Sequence, residues 1–141
     1  MPKMSDDEWR EFVMAGTRTG KLAVTRKDGA PHVTPVWFAL DGEDVVLTTH
    51  RSSLKGIALR RDGRAAMTVD DQQPPYSFVI IEGRVTLSDD LAEVRRWAGA
   101  LGARYMGEER RDEYAERNGV PGELLVRLRI GKVVAQRDIA L

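Results

Sequence analysis

Cysteine is absent from this chain, which removes disulfides, thiolate nucleophiles and every cysteine-ligated zinc or iron–sulfur site at once. Histidine is nearly absent. His32 and His50 are the only two, too few to build a metal site. Net charge is lacking as well: 22 basic and 22 acidic side chains cancel, so no overall field draws the protein to nucleic acid or a membrane surface. No segment approaches the ~18 apolar residues of a membrane span. The opening MPKMSDDEWREF has no apolar core of signal-peptide type, so a soluble, cytoplasmic chain is expected. The nucleophile elbow G-x-S-x-G, the H-E-x-x-H pair, the Walker loop and the dinucleotide-binding G-x-G-x-x-G are all missing, which sets aside the chemistries those motifs carry.

What is present is a chain of 141 residues, one domain long and able to bury roughly 68–70% of its unfolded surface. Ser5 with Glu8 three places on forms a capping-box pattern, and Trp9, Phe12 and Val13 follow at helical spacing before Gly16, so a short N-terminal helix is expected within 1–16. The period then changes. Runs at about 19–26, 32–40 and 44–49 are β-rich, punctuated by Lys27-Asp28-Gly29 and Asp41-Gly42, both hairpin signals. A helix over 53–61 leads into two further strands, 64–70 and the run YSFVIIEGRVTL, joined by a turn at Pro74-Pro75. Ser88-Asp89-Asp90 opens a helical segment to about 118, broken near Gly107, with Glu93 completing a capping pattern. Last, Val126, Leu128 and Ile130 alternate with Arg127 and Arg129, the period of a half-buried strand over 124–138. Six strands interleave with three helical segments, without the regular alternation of a parallel sheet. A closed or split antiparallel barrel buries such strands while limiting free edges.

The stretch HRSSLKGIALRRDGR carries the chemical signal. Leu54, Ile57 and Ala58 share one face at i, i+3, i+4 spacing and are expected to face the core, with Lys55 on the flank. A cation in a first turn is unfavourable beside the helix's own positive end unless an anion lies between them. Thr48 and Thr49 end the preceding strand and Ser53 is the expected cap, so hydroxyls, free N–H donors and an ammonium converge on one anion pocket, most simply for phosphate. The residues alone leave a second reading open, in which Lys55 is solvated and Ser53 is an ordinary cap.

This element order, with T-T-x-x-x-S-L-K at its centre, resembles the pyridoxamine 5′-phosphate oxidase-like split β-barrel superfamily. The likeness is carried by DGAPHVTPVWFALDGEDVVLTT, SSLKGIALRRDGRAAMTVDD and YSFVIIEGRVTL, and runs from about Lys21 to the last strand. The resemblance implies a mainly β (α+β) fold, a six-stranded antiparallel split β-barrel with short flanking helices of the FMN-binding type. It also implies a homodimer holding a flavin, or the deazaflavin coenzyme F420, between its subunits. In such relatives the strand matching His32 to Trp37 lines the ring, which assigns His32, Val33, Thr34, Pro35 and Val36 to the cofactor. The segment matching Thr48 to Lys55 holds the phosphate, through Thr48, Thr49, Ser53, Leu54 and Lys55.

The FMN-binding oxidases often carry arginine before the helix's lysine; Leu54 stands there here, which looks more like the deazaflavin-using reductases. That branch implies hydride transfer from reduced coenzyme F420 to a small conjugated substrate of quinone, tetrapyrrole or enone type. FMN is the alternative cofactor, with an oxidase-like activity, and a non-catalytic flavin carrier is the third reading. No catalytic side chain is assigned, since the cofactor carries the chemistry. Tyr76, by the resemblance, covers a ring from across the dimer; as a residue alone it reads equally as a strand-end aromatic filling the barrel mouth. Trp37 and Phe38 alternate along their strand, one inward and the other towards the interface or ring. Trp97 and Tyr105 read as helix packing residues.

Overall fold

The computed structural model describes residues 2–141. Helix α1, Asp6–Met14, is opened by the capping box: the Glu8 N–H donates to Ser5 Oγ at 3.2 Å and the Ser5 N–H to the Glu8 carboxylate at 2.9 Å. The strands are β1 (Gly20–Thr25), β2 (Pro31–Val36), β3 (Ala39–Asp41), β4 (Asp44–His50), β5 (Arg64–Asp71), β6 (Ser77–Ser88) and β7 (Glu123–Gln136). They form one antiparallel sheet in the order β2-β1-β5-β6-β7-β4-β3.

Seven strands replace the expected six because the run 32–40 is divided at Trp37-Phe38. Before that point the chain pairs with β1; after it, with β4. The two strands at opposite edges of the sheet are therefore joined by two residues, so the sheet must curl until its edges meet. That is the split barrel. Phe38, fully buried, fills the bend, and its backbone is held by Tyr105, whose hydroxyl accepts from the Phe38 N–H at 3.2 Å and donates to the Arg18 carbonyl at 2.7 Å. Trp37 turns outward and stacks on Tyr105, with centroids 5.1 Å apart, and meets Tyr114 edge-on at 5.6 Å. It is packed against the helices and does not stand free for a cofactor ring.

Inside the barrel lie Leu22, Leu47, Met67, Val79, Ile81, Val126 and Leu128, the inward positions of alternating strands. β4 and β7 are apolar on both faces because helix α3, Leu91–Met106, covers their outer side, where Val46, Val94 and Leu125 pack with Trp97. Beyond the helix the expected alternation holds: Arg127 and Arg129 turn outward and bridge Asp44. The segment expected over 89–118 divides into α3, a 3-10 turn at Glu108–Arg110 and α4, Arg111–Asn118, so the chain has four helices where three helical segments were expected. Its break falls at Gly107, whose φ of +114° suits glycine. The cap of α3 is Asp90, accepting from the Ala92 and Glu93 N–H groups; Ser88 reaches the Glu93 carboxylate from outside the helix.

Helix α2, Leu54–Arg61, lies against β1 and β4. Its buried arc differs from the one expected. Leu54 and Ile57 are 41% and 49% exposed, while Gly56, Ala58 and Leu59 are buried. The rotation has a local cause: Gly56 is pressed so closely on the preceding turn that a Cβ there would lie 2.4 Å from the His50 carbonyl oxygen. Seating Gly56 turns the Leu54–Ile57 face outward. It also moves Lys55 from the flank to the inward side, one turn before Leu59.

Candidate functional site: the β4–α2 corner

The corner begins at the end of β4, where alternation returns after the doubly buried run Val45–Leu47. Thr49 is buried, Thr48 half-buried and His50 exposed. Thr49 Oγ1 lies 2.8 Å from Ser53 Oγ, and Ser53 Oγ accepts from the Gly56 N–H at 3.0 Å, as an N-cap does. The Ser53 N–H donates to the His50 carbonyl, which makes the tight turn. With Ser53 capping Gly56, the opening N–H groups of Leu54 and Lys55 are left to outside partners.

Lys55 is half-buried on the inward side of this turn, and no carboxylate lies within ion-pair distance of it among the described residues. A cation at the positive end of a helix is unfavourable without an anion. Hydroxyls, amides and ammonium thus form a donor set suited to a phosphate or carboxylate. A flavin or deazaflavin phosphate would fit here against Ser53, Lys55 and the opening amides of α2, whereas Thr48 shares the outer strand face of Val46 and is not brought to Ser53.

The five assigned residues of β2 divide between two faces. His32, Thr34 and Val36 turn inward and are half-buried; Val33 and Pro35 turn outward, Val33 being 63% exposed. Thr34 Oγ1 is buried without a hydrogen-bond partner. β2 runs antiparallel to β1 with His32 opposite Val24 and Val36 opposite Gly20, and the Arg61 guanidinium of α2 donates to the Thr25 carbonyl at the same end of β1. His32 is therefore the end of β2 nearer α2. Val33 adjoins a shallow groove of about 580 Å³ over the outer sheet face, lined by Ala23, Thr25, Pro31 and Ala66 among others.

Tyr76 is not brought to this corner within one chain. It follows β5, whose eight residues span about 26 Å at ~3.3 Å each, so it sits beyond the opposite end of that strand. There it is 45% exposed with φ of +66°, and its carbonyl accepts from the Ile139 N–H. Two neighbours of the corner, Glu123 and Arg51, carry no mark in the sequence. Glu123, opposite His50 in the β4–β7 pairing, has a buried carboxylate oxygen without a partner, and burial raises its pKa above the ordinary carboxylate value. Arg51 and Arg60 line a cleft of about 680 Å³ shared with Asp89 and Gly122. No local motif marks Glu123; only the pairing register brings it to His50.

The curled antiparallel sheet, with its edge strands joined at Trp37-Phe38, places the chain among the split-barrel proteins. Residues 5–137 match the family model described as pyridoxamine 5′-phosphate oxidase, and the chain belongs to that family, one of flavin-binding oxidoreductases. Among solved structures it is similar to a conserved hypothetical protein of Mycobacterium tuberculosis, with 27% identity and a TM-score of 0.84 over 98% of this chain and 89% of that one. It is also similar to an F420 reductase, with 26% identity and a TM-score of 0.70 over 87% and 94% of the two chains. An FAD-binding protein from Mesorhizobium loti shares the fold at 21% identity and a TM-score of 0.67 over 95% of each chain. No curated protein sequence matches. Among the described residues no helix is long and apolar enough to cross a membrane.

Proposed function

We propose that this protein is a coenzyme F420-dependent reductase that reduces a small conjugated substrate of quinone, tetrapyrrole or enone type. The observation that carries the reading is Lys55: half-buried, without a carboxylate, beside Ser53 and Thr49 at the start of α2. The likeness to an F420 reductase across 87% of the chain supports the deazaflavin over other flavins, as does Leu54 in place of a second phosphate-binding cation. When bound, the reduced deazaflavin supplies the hydride. The chain's own residues bind and orient. Lys55, Ser53 and the first amides of α2 would hold the phosphate, while β2 from His32 to Val36 would offer backbone and small side chains along the ring.

The working unit is a homodimer. Val33, Leu54 and Ile57 are exposed apolar side chains that a second copy would cover, and Tyr76 reaches a corner like that of Lys55 only from a second copy. An FMN-dependent oxidase-like activity is the competing reading, favoured by the family description itself. Fluorescence titration of the purified protein with coenzyme F420 and with FMN separates them. Tighter binding of the deazaflavin is expected; binding of FMN alone would overturn the proposal.

A further inference from the structure

Among the described residues, two other than glycine take the left-handed backbone: Tyr76, with φ of +66°, and Asp138, with φ of +52°. They lie in one place. β6 and β7 pair Phe78 with Gln136, and the same register carried past the end of the ladder sets Tyr76 opposite Asp138. Backbone contact continues there. The Asp138 N–H donates to Ser77 Oγ at 3.2 Å, the Ile139 N–H to the Tyr76 carbonyl at 2.9 Å and the Ala140 N–H to the Pro75 carbonyl at 2.9 Å. From the other side the Tyr76 N–H donates to the Gln73 carbonyl at 2.8 Å, and the Gln73 N–H to the Asp71 carboxylate at 2.9 Å. The Tyr76 backbone is thus clasped twice, by its own turn and by the C-terminal segment.

We propose that the C-terminal segment Asp138–Ala140 is a positioning element for Tyr76: it fixes the backbone from which the exposed ring is presented to the flat conjugated ring bound by a second copy. The proposal rests on the deazaflavin site and the homodimer proposed above. Aspartate tolerates the left-handed region, whereas a bulky residue such as tyrosine is an outlier there. The clasp therefore holds Tyr76 against its own preference, and residues held in this way cluster at ligand sites. Packing gives no compensation, since the side chain is exposed. The Pro75 and Tyr76 carbonyls belong to the two peptide planes that meet at the Tyr76 Cα, so holding both fixes its φ and ψ. The direction of the Tyr76 side chain is set by the end of the chain and not by contacts of the ring.

The test is a double-mutant cycle on the full chain, read by fluorescence titration with coenzyme F420 and by urea unfolding. Tyr76→Gly removes the ring and suits φ of +66°. Ile139→Pro removes the N–H that the Tyr76 carbonyl accepts and, through the restriction on a residue before proline, takes Asp138 out of the left-handed region. Tyr76→Gly should unfold at about the same urea concentration as the natural protein yet bind the coenzyme about three- to tenfold more weakly, the size of one lost aromatic pair. Tyr76→Phe, which keeps the ring, should bind as the natural protein does. Ile139→Pro should weaken binding when Tyr76 is present and by no further factor in Tyr76→Gly. Should Ile139→Pro fail to fold, Ser77→Ala opens the clasp more mildly and completes the same cycle. Unchanged affinity or a large loss of stability in Tyr76→Gly, or an Ile139→Pro loss of equal size in both backgrounds, overturns the role of the clasp. If the natural protein binds FMN and not coenzyme F420, the cofactor reading falls, and the same cycle read with FMN decides the clasp. Binding of neither overturns both.

Discussion

Two cations sit at the ends of helices in this molecule and they are used in opposite ways. Arg104, in the last turn of α3, spends its guanidinium on the chain itself: Nε donates to the Gly16 carbonyl at 3.2 Å, Nη2 to the Val13 carbonyl at 2.8 Å, and Nη1 to the Phe38 carbonyl. Burial pulls its pKa below the ordinary arginine value, yet its oxygen partners are all carbonyls, including those at the negative end of α1, and Met14 Sδ and the Phe38 and Tyr105 rings complete its surroundings. Lys55, in the first turn of α2, has the wrong sign for its place and no carboxylate to meet. A cation whose donors are satisfied inside the chain belongs to the fold. One left half-buried without an anion is available to a ligand.

The largest effect expected from breaking this contrast falls on Arg104. Arg104→Ala leaves the Val13, Gly16 and Phe38 carbonyls without their donor where α1, the β2–β3 bend and α3 meet. It should destabilise the protein by about 2–4 kcal/mol in urea unfolding. The folded remainder should bind the coenzyme as the natural protein does. A stable variant with impaired binding would reverse the roles assigned to the two cations.

Lys55→Ala is the mirror experiment. Coenzyme F420 affinity should fall by about 1.5–3 kcal/mol, the worth of one charge-assisted contact, with unfolding free energy changed by no more than about 0.5 kcal/mol. Fluorescence titration and urea unfolding of the same preparation read both terms. Unchanged affinity would remove Lys55 from the site.

The corner and the bend were not equally legible in the sequence. Ser5 with Glu8, the two hairpin turns and the alternation of Arg127 and Arg129 are local patterns that the fold keeps. The division of the run 32–40 was not legible, because nothing within six residues says that a strand will leave one neighbour for another; only the closure of the sheet requires it. The α2 face was misread for a related reason. Apolar spacing favours Leu54 and Ile57, but the seat of Gly56 on the His50 carbonyl sets the helix rotation, and a glycine has no hydropathy to reveal it. Lys55 was legible as a misplaced charge, whereas Glu123 needed the register.

Glu123 gives the smallest effect and sharpens the comparison from the acidic side. Its pKa is raised, first by burial and against the opposing pull of His50, so the folded protein holds the carboxyl proton more tightly than the unfolded chain. Stability from this group is therefore fully present below the unfolded carboxylate range and is lost as the pH rises through the raised value. Glu123→Gln keeps the shape and removes the charge. It should be slightly more stable than the natural protein at neutral pH, and the gain should shrink to nothing as the medium is acidified through the carboxylate range, where the natural residue becomes neutral too. Thermal unfolding at neutral and acidic pH measures the difference. A variant less stable than the natural protein at neutral pH would mean that the Glu123 carboxylate has a stabilising partner, and Glu123 would then resemble Arg104 more than Lys55.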